Sequence, residues 1–156
     1  MSEYTYGITR TLRTQHNAEL SLARELRSLA KHHEADHEVH HVALDIALWS
    51  LEHAAQLAKL GRAHGVELAA DDAEDPEIGH TADAPGPLRL LDDLCTVYLA
   101  ASANSLRWEM LAQAAQAGSD ADLLKLASAC HPQTLRQIRW ANTLIKTQSP
   151  QAMTSI

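Results

Sequence analysis

The 156-residue chain contains no phenylalanine, and its only other aromatic residues are three Trp and three Tyr. With aromatic and β-branched residues scarce, a β-sheet core has little to be built from. There are two cysteines, Cys95 and Cys130. Two thiols within helical patterns exclude a disulfide framework, and the expectation is reduced thiols in a cytoplasmic protein. No apolar run approaches the roughly 18 residues needed to cross a bilayer. The opening MSEYTYGITR lacks the basic-then-apolar layout of a signal peptide. Thirteen Lys and Arg stand against 20 acids, giving a net charge of −7. The cations are scattered singly, so nothing resembles the basic patch that nucleic-acid binding requires. No Gly-rich phosphate loop is present, and no Ser-His-Asp order.

What is there is helical. Apolar residues make up 46% of the chain and rest on Ala and Leu, both strong helix formers. The length suits one domain with a real core. Spacings of three and four place Leu12, His16, Glu19, Leu22, Leu26 and Leu29 on one face of a first helix over about 9–33, with Thr9 as its N-cap. Asp36 caps a second helix over 36–63, with an inward stripe of Val39, Val42, Ile46, Trp49, His53, Leu57 and Leu60. The acidic, Pro- and Gly-rich stretch 66–87 reads as a solvated connector, long enough to run the length of a bundle. Gly86 and Pro87 open a third helix over 88–117. Its stripe is Leu91, Leu94, Tyr98, Ala101, Ser105, Trp108 and Ala112, and Gly118 ends it. Ser119 and Asp122 suggest a capping pair for a fourth helix over 120–147. That helix carries Leu124, Ala127, His131, Leu135, Ile138 and Ile145, a kink at Pro132, and a frayed tail. The expected fold is an all-α antiparallel four-helix bundle with a long crossover between its second and third helices.

Three of the ten histidines, His16, His53 and His131, fall within the apolar stripes of three different helices. A turn near residue 34 sets His16 opposite His53, with Glu19 and Glu52 within about one turn. His131 falls near the middle of the second hairpin. A central polar layer in a Leu/Ala interior follows. Its members satisfy one another through hydrogen bonds, hold a metal, or line a ligand pocket.

This layout resembles the ferritin-like superfamily, whose di-metal members set one Glu on each of two helices and Glu-x-x-His on each of the other two. Glu19 and Glu52 suit the first-helix and second-helix glutamates, and His131 suits the fourth-helix histidine. Ala55 stands where the second-helix histidine would be, and Ser128 where the fourth-helix glutamate would be. The resemblance therefore implies a reduced site: a divalent ion such as Fe, Zn or Mn held by Glu19, Glu52, His53, His131 and His16. The alternative is a non-catalytic helical module that acts through homo-oligomerisation or partner binding, its central polar residues forming a structural network. The small-residue stretches AASANS and LAQAAQAG allow close helix approach, and a homodimer is expected.

The segment KHHEADHEVHH adds a second cluster. His37 and His41 are i, i+4 neighbours able to bind Zn²⁺ or Cu²⁺, but they lie at the hairpin corner on a polar face. Cys130 beside His131 suggests a nucleophile and a base, yet helix neighbours point about 100° apart.

Overall fold

The computed structural model describes residues 3–69 and 86–155. It is all-helical among these residues: α1 Tyr6–His32, α2 His37–Ala63, α3 Gly86–Ala117 and α4 Ala121–Thr154. The four helices pack together, α1 against α2 and α3, and α4 against α3 and α2. None of them is long and apolar enough to cross a membrane. Most of the expected 66–87 connector, residues 70–85, lies outside the described residues.

The helix ends follow from local chemistry. Thr5, not Thr9, caps α1, its hydroxyl accepting from Ile8 N at 3.3 Å, and the helix gains a turn. Asp36 caps α2 as expected, accepting from Val39 N. At the end of α2, Gly65 adopts φ +78°, and Val66 N donates back to Gly61 O at 2.8 Å. A Cβ on Gly61 would meet that Val66 carbonyl oxygen at 2.9 Å, so glycine is what lets the chain fold back there. The same reverse closure ends α3, but Ser119 rather than Gly118 takes the left-handed conformation, at φ 54°. Asp120, not Ser119, is the N-cap of α4 and accepts from Leu123 N at 3.1 Å. A three-residue turn thus serves both helices.

α4 departs from expectation at two further points. It runs unbroken past Pro132 and Pro150 to Thr154. The expected fraying of the tail is absent because Ala152 is buried there. Its inward face is also rotated. Leu123, Ala127, Cys130, Thr134, Gln137 and Ala141 are buried, whereas Leu135 is 44% exposed. Past Leu123 the facing positions on α4 are small or polar, so the larger Leu and Ile side chains flank the buried stripe.

Two apolar clusters result. One joins Leu22, Leu26 and Leu29 to Val39, Ile46, Leu94 and Val97. The other joins Leu12 and Leu57 to Trp108, Leu111, Leu123 and Cys130, with Val66 and Leu68 laid over it. Between them lies a buried polar layer of Gln15, Glu19, Ser50, His53, Asn104, Thr134 and Gln137.

Candidate functional site

Glu19 of α1 is fully buried, and both its carboxylate oxygens are engaged. His53 Nδ1 lies 2.6 Å from Oε2, and Asn104 Nδ2 donates to Oε1 at 2.7 Å. Charge-assisted bonds of this length are the strong kind. The network continues through α3. Arg107 Nη2 donates to Asn104 Oδ1 at 2.6 Å, and Arg107 Nε donates to Gln15 Oε1 at 2.6 Å. Gln15 Nε2 closes the ring on the Asn104 carbonyl at 3.0 Å. Every polar side-chain atom of Gln15, Glu19 and Asn104 therefore has a partner, which is what makes their burial affordable.

His53 of α2 is the hinge of the layer. Its Nε2 lies 2.7 Å from Gln133 Oε1 of α4, so both ring nitrogens face oxygen acceptors and both donate. That is the bonding of an imidazolium. Burial pulls the ring's pKa down, but contacts with Cys130 and Glu19 outweigh it and raise the value to about 10. The Trp108 ring stands nearly perpendicular to it, with centroids 5.9 Å apart. On the same side of the bundle, Gln137 Nε2 donates to Ile46 O and Ser50 Oγ, each at 2.9 Å.

Beyond His53 the α2–α4 seam opens. A cleft of about 580 Å³ lies between these helices, with His53, Cys130 and Gln133 among its lining residues. Leu60, Leu126 and Ala129 give it apolar walls, and Glu52, Lys59, Asp122 and Lys125 put both signs of charge along it. α2 and α4 are the least closely packed of the neighbouring helices, and this is where they part.

Of the five residues expected to surround a metal, Glu19 and His53 come together. Glu52 is exposed on the cleft. His131 bonds instead to Ser105 Oγ at 2.8 Å, because the rotation of α4 turns Cys130 inward in its place. His16 is buried beside Gln15, away from the His53 bonds, and burial lowers its pKa despite a hydrogen bond with Asn17. Among the described residues, no group of three or more His, Cys, Asp or Glu side chains is arranged to hold a metal ion. At the hairpin corner, the His37 and His41 rings sit 5.4 Å apart, while His40 Nδ1 is taken up by the Ala30 carbonyl at 2.7 Å.

Sequence reasoning missed Gln15, Asn104, Arg107, Gln133 and the inward aim of Cys130. Gln15 and Asn104 had a legible signal, since each lies three or four residues from a core position, Leu12 and Glu19 or Ala101 and Trp108. Gln133 and Cys130 had none, because they depend on the rotation of α4. The sequence matches no protein-family model and no curated protein.

Proposed function

We propose that this chain is an antiparallel, ferritin-like helical bundle that works as a binding module. Its central polar layer is a structural network, and its ligand site is the α2–α4 cleft. Four pairings support the antiparallel arrangement of the two seams that contain α2. Glu19 meets His53 while Ala30 meets His40; His53 meets Gln133 while Ile46 meets Gln137. In each set, rising numbers on one helix pair with falling numbers on the other.

The observation that carries the functional reading is the engagement of both Glu19 oxygens inside the chain. A carboxylate committed to His53 and Asn104 acts as a strut between α1, α2 and α3. Beyond that strut, the bundle presents a concave, partly apolar surface with a few polar groups, of a size usual for small-molecule sites.

Two measurements test this reading. The first is the thermal midpoint with and without Fe²⁺, Zn²⁺ and Mn²⁺, which is expected to be unchanged. A metal-dependent rise that disappears in Glu19→Gln would replace the network by a metal centre. The second uses the fluorescent probe 1-anilinonaphthalene-8-sulfonate, an apolar anion suited to Leu60, Leu126 and the two lysines. Its binding is expected to disappear in Ala129→Trp at an unchanged thermal midpoint. Equal fluorescence in the two proteins would remove the cleft from the proposal.

A further inference from the structure

Cys130 and Cys95 make a natural contrast. Cys95 is exposed on α3, and Cys130 is buried in α4. Burial usually makes a thiol inert. Cys130, however, lines the 580 Å³ cleft together with His53 and Gln133. Cys130 and Gln133 are one helical turn apart on α4, and Gln133 sits 2.7 Å from the His53 ring, so the sulfur stands on the same side of the cleft as that ring. On its other side the ring is held by Glu19 at 2.6 Å. A sulfur, a cationic ring sharing its cleft, and a carboxylate fixing that ring form an arrangement that favours a thiolate nucleophile.

The surroundings narrow the class of partner. Reaction at a recessed sulfur requires a reagent that enters the cleft, and the charges along it, Glu52 and Asp122 with Lys59 and Lys125, match one bearing both ammonium and carboxylate groups. Building on the cleft as the binding site, we propose that Cys130 is a covalent capture site that forms a mixed disulfide with a zwitterionic low-molecular-weight disulfide. The Cys130 thiol releases its proton to water, and its sulfur attacks one sulfur of the incoming disulfide. A new S–S bond forms as the old one breaks. The departing sulfur leaves as a thiolate with the bonding electron pair and takes a proton from water. Cys130 is thereby oxidised and half of the small disulfide reduced. The positive charge of the His53 ring stabilises negative charge on the attacking sulfur. Glu19 is a positioning residue, since it acts only through the ring.

The test is timed labelling of the folded protein with oxidised glutathione and, separately, with iodoacetamide, read by peptide mass mapping at both cysteines. With oxidised glutathione, Cys130 is expected to react at least tenfold faster than Cys95, despite its burial. His53→Gln is expected to slow Cys130 about tenfold and leave Cys95 unchanged. Should His53→Gln fail to fold, Ala129→Trp decides the matter, because it narrows the cleft without touching sulfur or ring and is expected to slow Cys130 likewise. Iodoacetamide is small and neutral, and its preference for Cys130 is expected to be weaker than that of oxidised glutathione. A faster Cys95, or a Cys130 rate indifferent to His53→Gln or Ala129→Trp, overturns the proposal. Dye bound in the cleft with Cys130 inert defeats capture alone; no dye and an inert thiol defeat the binding module as well.

Discussion

The seam between α1 and α3 and the seam between α2 and α4 draw on one polar layer and end differently. Across the first, Gln15, Asn104 and Arg107 close a ring of hydrogen bonds on Glu19. Across the second, Gln137 binds Ile46 and Ser50, His53 reaches Gln133, and beyond that the helices part into a cleft. Both seams contain amides and apolar neighbours. The difference lies in what faces what. On α1 and α3, long polar side chains bridge the seam fully. On α4, the inward positions Ala127, Cys130 and Thr134 are short, so past Gln133 no long polar side chain bridges to α2. A bundle thus becomes tight on one side and open on the other without a change of fold.

The sharpest way to break this contrast is to remove Glu19, because it serves α1, α2 and α3 together. Glu19→Ala leaves His53 as a buried cation without its carboxylate and Asn104 without an acceptor. Losing one member of a buried pair typically costs about 3–5 kcal/mol, and urea denaturation is expected to show a loss in that range. A loss under about 1 kcal/mol would mean that the strut is not holding the layer. The same pair sets a pH dependence. His53 has its folded pKa raised to about 10, above the ordinary value of about 6.5. Its stabilisation is therefore complete below about pH 6.5 and is lost as pH rises through about 10. The thermal midpoint is expected to fall between pH 7 and 10, and the fall is expected to flatten in His53→Gln. An equal fall in both proteins would assign the dependence to other groups.

Asn104→Ala comes next and strikes only the closed seam. It removes the donor to Glu19 and the acceptor of Arg107 while the ion pair stays. A buried group left without its partner costs about 1–3 kcal/mol. Because Asn104 lies across the bundle from the cleft, dye binding there is expected to persist. Loss of both stability and dye binding would show that the two seams are coupled more tightly than their contacts suggest.

How much of this was legible in the sequence varies by helix. The α1 stripe, Leu12 through Leu29, was readable in full because it pairs large apolar residues with two conspicuous polar ones, His16 and Glu19. All six positions are buried. On α4 the same pattern gives Ala127, which is buried, but also Leu124, His131, Leu135 and Ile138, each one position past a buried residue. Leu and Ile outrank Ala, Cys and Thr in apolarity, but close helix packing selects for size as well as apolarity. That single rotation exchanged His131 for Cys130 at the centre. The amides of α1 and α3, Gln15 and Asn104, lie in phase with the core and went unread for a different reason, since Gln and Asn on a helix ordinarily read as solvated.

The smallest expected effect belongs to Gln133→Ala, and it sharpens the contrast from the open side. Gln133 offers His53 Nε2 an acceptor at 2.7 Å, but it is half-buried and lines the cleft. Water entering from the cleft replaces that acceptor, which spares the donor the desolvation penalty that Asn104→Ala incurs on the sealed side. The net worth of such a bond is about 0.5–1.5 kcal/mol, and the expected loss lies at or below that range. The substitution also widens access to Cys130, so labelling by oxidised glutathione is expected to quicken modestly as stability drops slightly. A loss as large as that of Asn104→Ala would mean that water does not reach His53 from the cleft, and the two seams would then be closed alike.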